Sequence, residues 1–130
     1  MRIVQPPGWA KPKGYANGIA CKGTLVFVAG QIGWTADCQW ETDDFAGQFA
    51  QALRNVVAVC AEAGAKPEHI VRLCWFITSK PEYLASLPAI GAAYREIMGR
   101  HYPTMTVVEV GALVEDRAKI EIEATAVIPD

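Results

Sequence analysis

The sequence predicts an α+β domain in which two helices pack on one face of a mixed sheet. Three observations carry this. Apolar residues recur at helical spacing from Phe45 to Cys60. Three runs rich in β-branched and aromatic residues, Thr24–Ala29, Ile70–Thr78 and Thr104–Val110, read as strands. The segment Lys119–Val127 alternates cleanly, with Ile120, Ile122, Ala124 and Ala126 on one side and Lys119, Glu121, Glu123 and Thr125 on the other.

Taken in order, the chain opens with Pro6, Pro7, Gly8, Pro12 and Gly14, an irregular lead-in over residues 1–13. Tyr15–Cys21 reads as a first strand and Lys22-Gly23 as a turn into Thr24–Ala29. Gly30-Gln31 is expected to end that strand, and Ile32–Trp40 to form a loop. Thr42 is placed to cap a helix over Asp43–Ala63, with Asp43 and Asp44 in its first turn, where the helix dipole favours them. Gly64 is placed at its C-terminal cap. Ser79-Lys80-Pro81-Glu82 has the capping-box pattern and opens a second helix. Its buried stripe is Tyr83, Leu84, Leu87, Ile90, Gly91, Tyr94, Ile97 and Met98. Pro88 should kink or delay that helix, and Gly99 should stop it. The predicted order is ββαβαββ. Helices on one face leave the other face of the sheet in need of cover, which self-association would supply.

With 130 residues, 52% of them hydrophobic and 20% charged, the composition fits a single globular domain spanning residues 1–130. The formal net charge is −2, from 12 basic and 14 acidic side chains, and no block of like charge occurs. That balance argues against nucleic acid as a partner, because phosphate binding needs clustered Lys and Arg. No apolar run approaches the ~20 residues of a membrane span, and none follows Met1–Pro7 as a secretory signal would. The expectation is a cytoplasmic protein with no membrane association. Cysteines at 21, 38, 60 and 74 lack metal-ligand spacing, and only two histidines are present, so no metal site is expected. Cys60 and Cys74 sit in apolar patterns and are expected to be buried. His69 and His101 are read as surface or capping residues, and Trp75 as packed in the sheet.

Several segments resemble, in order and spacing, the reactive-intermediate-deaminase (Rid, YjgF/RidA-type) family. They are Gly14-Tyr15 followed by LVFVAGQIG, then QALRNVVAVCAEAGA, IVRLCWFIT, AAYREIMG, YPTMTVVEV and KIEIEATAV, together spanning residues 14–128. The resemblance implies a chorismate-mutase-like fold and a homotrimer with a central β-barrel and clefts between subunits. It implies hydrolysis of enamines or imines to ketones and ammonia, with no metal or organic cofactor.

The resemblance also places candidate site residues. The family's Pro-x-Arg-x-Cys segment supplies an arginine that grips a substrate carboxylate. Here the segment is Pro103-Thr104-Met105-Thr106-Val107, so Met105 stands at the arginine position and Val107 at the cysteine position. A guanidinium makes two parallel hydrogen bonds to a carboxylate, and a thioether makes none. Ala29 stands where many relatives carry Ser, before Gly30, Gln31 and Ile32. Gly91 stands where several carry Asn. A less polar cleft follows, binding a small molecule not held chiefly by its anionic end. Glu121 matches the cleft carboxylate that orients or deprotonates the hydrolytic water, and Tyr15 matches the cleft tyrosine. Read without the resemblance, Glu121 is an exposed strand residue beside Glu123, and Tyr15 is a packing residue. Trp34 either packs or lines the cleft mouth. Arg72, Arg95, Arg100 and Arg117 read as solvated, though any of them could reach the cleft and replace the missing cation. Two functions fit: a deaminase with a shifted substrate, or a non-catalytic module that binds a small metabolite in the same cleft.

Overall fold

In a computed structural model describing all of residues 1–130, the elements run β1 (Arg2–Val4), β2 (Gly18–Ala20), β3 (Gly23–Ile32), α1 (Phe45–Glu62), β4 (Ile70–Ile77), α2 (Lys80–Ala85), α3 (Leu87–Met98), β5 (Thr104–Glu109) and β6 (Ile120–Pro129). A 3₁₀ turn, Pro67–His69, precedes β4. The main sheet has the order β3-β6-β4-β5. β6 runs antiparallel to both neighbours and β4 runs parallel to β5, so the sheet is mixed. A 19-residue apolar cluster joins α1 and α3 to one face of this sheet. Its sheet-side members include Leu73, Trp75 and Ile77 of β4, and Ile120, Ile122, Ala124 and Ala126 of β6, the last four being one side of the predicted alternation.

Several expectations need correction. The lead-in is not wholly irregular, because Arg2–Val4 pairs antiparallel with Gly18–Ala20 in a separate two-stranded sheet. The Tyr15–Cys21 segment is therefore strand only over its second half, and it does not pair with β3. Ala16 makes only a parallel bridge to Thr104, at the free edge of β5. Gly30-Gln31 does not end β3. The register steps from Val28↔Ala124 to Gln31↔Ile122, which leaves one extra residue on β3. Glycine and glutamine signal a break in pairing, but the long partner β6 absorbs it as a bulge and the ladder resumes. The expected loop thus starts after Ile32.

Helix α1 begins two residues later than the capping pattern suggests. Thr42 Oγ1 accepts from the Asp44 backbone N at 2.9 Å, and Asp44 Oδ2 accepts from Gly47 N at 2.9 Å. Asp44 is thus the N-cap, and neither aspartate lies within the first turn. Ala63 is the C-cap, and Gly64 follows it with φ +85°, the left-handed conformation glycine adopts without strain. Ser79 caps α2 as predicted, its Oγ accepting from Glu82 N at 3.2 Å. Pro88 has the expected effect. The second helix is broken at Ser86, and α3 restarts with Pro88 in its first turn. Gly99 ends it with φ +67°. Ile90, Tyr94 and Met98 form the buried stripe, whereas Leu84 and Leu87 are exposed.

All four cysteines are free, with Cys60 and Cys74 buried and Cys21 and Cys38 exposed. No helix is long and apolar enough to cross a membrane. His69 Nδ1 accepts from Lys66 N at 2.9 Å and caps the 3₁₀ turn. His101 Nε2 lies 2.6 Å from the Ile70 carbonyl oxygen, and Trp75 is 4% exposed in the core.

Candidate functional site

The bulge in β3 makes the first half of the site. It sets Gly30 directly beneath Glu121 on β6. A Cβ added at Gly30 would lie 2.7 Å from Glu121 Cδ, so any side chain at this position would push the carboxylate out of its present place. Glu121 is half-buried, lies across from Ile32 on one side and Phe76 on the other, and makes no ion pair or hydrogen bond through its carboxylate. Gln31 Nε2 donates back to the Ala29 carbonyl at 3.1 Å, fixing the bulge. Asn55 on α1 holds the exit from β3, its Nδ2 donating to the carbonyls of Ile32 at 3.1 Å and Trp34 at 2.8 Å. Trp34 packs against Trp40, ring centroids 5.8 Å apart, and Arg117 covers Trp40 at 5.5 Å. These rings form a local cluster at the end of β3.

The second half surrounds Met105 on β5. Met105 pairs with Leu73 and Val107 with Trp75, so both face the helix layer. Between α3, β5 and residues 13–14 lies a cavity of about 280 Å³ that includes Met105, Gly91, Trp75, Tyr94 and Tyr102. At the free edge of β5, beside the bridge from Ala16 to Thr104, Met105 and Tyr15 border a second cavity of about 370 Å³, together with Arg72. Tyr15 is 39% exposed. The Ala16 N–H donates to the Pro103 carbonyl at 3.0 Å, which holds the Tyr15 segment beside β5.

A single chain does not unite the two halves. Glu121 sits on β6 with its side chain on the Phe76 face, away from the helices. Met105 sits two strands away on the Leu73 face. Met105 borders both the cavity that Gly91 lines and the one that Tyr15 lines, whereas Glu121 and Gly30, with Ala29 and Gln31 on either side of Gly30, lie elsewhere.

Sequence reasoning missed the cavity floor. Tyr94 and Tyr102 stack at 5.3 Å with their planes 8° apart, and Trp75 tilts against Tyr94 at 6.5 Å. Helical spacing marked Tyr94 as buried, but Tyr102 lies beyond the helix and carried no periodic signal. Tyr94 Oη donates to the His101 carbonyl at 2.6 Å. Burial, with Tyr102 nearby, pushes the Tyr94 hydroxyl well above its ordinary value of 10.0. Burial also raises Tyr83 from 10.0 and the Cys60 thiol from 9.0.

These three groups stay neutral in the fold at a pH where the unfolded chain would ionise them. The unfolded state then binds fewer protons, so stability falls as pH rises. Their contribution is intact below the unfolded values of 9.0 and 10.0 and is lost as pH climbs through them towards the folded ones. A urea midpoint measured at about pH 10.5 is expected to be clearly below that at about pH 8, and Tyr94→Phe should reduce the difference. Equal midpoints at the two pH values would contradict the burial argument.

Comparison with known proteins gives concordant results. A family model described as Endoribonuclease L-PSP matches residues 9–128. The 2-iminobutanoate/2-iminopropanoate deaminase of Escherichia coli K12 is 33% identical over 116 residues, covering 87% of this chain and 86% of that protein. The solved structure of YyfB from Yersinia pestis, of the conserved Rid protein family and of unknown function, superposes with a TM-score of 0.85 at 29% identity, covering 98% of each chain. E. coli TdcF, crystallised with bound serine, superposes with a TM-score of 0.70 at 31% identity, covering 98% of this chain and 99% of that one.

Proposed function

The chain belongs to the Rid (YjgF/RidA) family, and from that premise we propose that it hydrolyses an enamine or imine in an atypical, less polar cleft formed between copies of the chain. The observation that carries this reading is the Glu121 carboxylate, held half-buried over Gly30 with no partner of its own. A free carboxylate in that position can accept a proton from water as its oxygen attacks the C=N carbon. The nitrogen takes up protons, the tetrahedral adduct expels ammonia, and a ketone remains. Tyr15 supplies a hydroxyl that can donate to or accept from the ligand. Met105 and Val107 stand where relatives carry the Arg and Cys of the cleft, and Ala29 and Gly91 lower its polarity further.

A second copy of the chain is part of this reading, because one chain leaves Glu121 apart from Met105 and Tyr15. The face away from the helices supports it. Phe27 is 74%, Leu25 56% and Val108 42% exposed there. Packing three such faces into a central barrel would cover them and bring Glu121 of one copy towards the β5 edge of the next. A monomer in light scattering at micromolar concentration would remove the shared cleft.

The test of chemistry is imine breakdown. Imines of a set of 2-oxo acids, generated in situ by an amino-acid oxidase, are expected to disappear faster with the protein present. Glu121→Ala should cost on the order of 10²–10⁴ in rate, the range for a positioned general base. Equal rates for the two proteins would take Glu121 out of the mechanism. No acceleration of any imine by wild type would leave only the reading in which the cleft binds and does not catalyse.

A further inference from the structure

A third cavity, of about 460 Å³ under the N-terminal arm, adjoins the two beside Met105: it shares Tyr102 with one and Tyr15 and Ala16 with the other, and these neighbouring hollows make a trench along the surface. Five of the chain's 12 Lys and Arg line this trench: Lys11, Lys13, Arg72, Arg95 and Arg100. None of its 14 Asp and Glu does. The four ion pairs in the structure use Lys22, Arg54, Arg117 and Lys119, so all five trench cations are unpaired. Arg72 donates only to Cys74 Sγ, at 3.3 Å, and also borders the adjoining hollow that Glu123 lines, so it is the least free of the five. In a chain of net charge −2, this segregation produces a locally positive surface that sequence order conceals.

The inner end of the trench, between α3 and β5, differs from the rest. Its floor is aromatic, and Lys13 and Arg95 are its two cations. The buried Trp75 indole N–H, in a residue 4% exposed that borders this cavity, has no hydrogen-bond partner in the chain. Gly91 opens the space, since nothing lies within 4 Å of where its Cβ would be. Nothing in the packing of α3 therefore requires glycine, and alanine there would favour the helix by about 1 kcal/mol. The missing side chain leaves room above the tyrosines.

We infer that this inner cavity takes an aromatic acid, its ring packed against the stacked pair Tyr94–Tyr102 and its carboxylate held by Arg95 and Lys13. The anion anchor has thus moved from β5 to α3 and the residues before Tyr15. This deepens the deaminase reading and rests on it for the kind of acid, the imine and 2-oxo acid of an aromatic amino acid. A charged hydrogen bond is compatible with Met105 because the cation comes from the rim, and the thioether contributes apolar contact beneath the ring.

Calorimetric titration tests this with three probes: phenylpyruvate, pyruvate and phenylacetone, which keeps the ring and lacks the carboxylate. Phenylpyruvate is expected to bind at least about 10-fold more tightly than either, since it alone supplies both features. Arg95→Gln combined with Lys13→Gln should weaken phenylpyruvate by about 10-fold or more and leave phenylacetone unchanged. Both side chains are exposed, so folding is not at risk. Gly91→Leu fills the cavity without altering charge and should weaken phenylpyruvate and phenylacetone together. Pyruvate binding as tightly as phenylpyruvate, or the double variant binding like wild type, overturns the inference. A single-stranded oligouridylate that binds wild type more tightly than phenylpyruvate, and is lost in the double variant, would assign the trench to nucleic acid and overturn it too. The two readings fail separately. The predicted binding pattern without imine turnover removes the deaminase, and turnover of aliphatic imines without that pattern removes the aromatic acid.

Discussion

Replacing Gln48 with methionine is expected to lower the unfolding free energy by about 3 kcal/mol. Gln48 is completely buried in α1, the one polar side chain in the buried set. Its Nε2 donates to the carbonyls of Thr42 at 3.3 Å and Arg117 at 3.0 Å, and its Oε1 accepts from Lys119 N at 2.9 Å. One amide therefore ties the start of α1 to the chain that leads into β6. Methionine has similar length and volume, so the change leaves little cavity and isolates the hydrogen bonds. A stranded buried donor or acceptor costs about 1–3 kcal/mol, and part of that is recovered where water reaches Thr42 and Arg117. Gln48→Ala should cost more, because it adds a void to the same loss. The loss is large against a total stability of roughly 5–15 kcal/mol. A change of less than about 0.5 kcal/mol for Gln48→Met in urea would show that the amide is dispensable. Gly33 is part of the same construction. A Cβ there would lie 2.6 Å from Gln48 Cβ and 2.7 Å from its Cα, so the chain leaving β3 can approach α1 this closely only through glycine.

The sequence made the main elements legible through a clear period in α1 and β6 and through β-branched and aromatic composition in β3, β4 and β5. The alternation of β6 survives intact, with Ile120, Ile122, Ala124 and Ala126 buried and Glu121 and Glu123 turned away. Pro88 forecast the break between α2 and α3. What it did not make legible were contacts without a period. Gln48 occupies a buried position of α1, and polarity alone marks it as surface. The Gly30-Gln31 pair reads as a stop, and only the length of β6 decides that it is a bulge. The pairing of Arg2–Val4 with Gly18–Ala20 joins two three-residue segments too short to show alternation. The candidate site was legible as residues and not as a place. Resemblance gathered Tyr15, Glu121 and Met105 into one cleft, whereas the sheet sets Glu121 and Met105 on opposite faces of a single chain. The trench cations were invisible for the same reason. Lys11, Lys13, Arg72, Arg95 and Arg100 are scattered over some ninety positions, and only the path of β5 beside α3 and the arm collects them.

Met105→Arg is expected to reverse the preference of the cavity between small and aromatic acids. Met105 faces the helix layer, and the open space above Gly91 gives a longer side chain somewhere to extend. A guanidinium there offers a second anchor close to the floor, where a small 2-oxo acid or imine without a ring could sit. One or two charge-assisted hydrogen bonds contribute about 1.5–3 kcal/mol, so pyruvate should bind about 10- to 150-fold more tightly, and turnover of its imine should rise with it. The same side chain takes up room over Tyr94 and Tyr102 and adds charge beside Lys13 and Arg95. Phenylpyruvate should therefore weaken even as pyruvate gains. Titrating both acids against both proteins separates charge from shape. Pyruvate gaining while phenylpyruvate falls means that Met105 selects by leaving the floor apolar. If neither changes, the cavity has closed around position 105, and its shape rather than the missing cation sets the ligand.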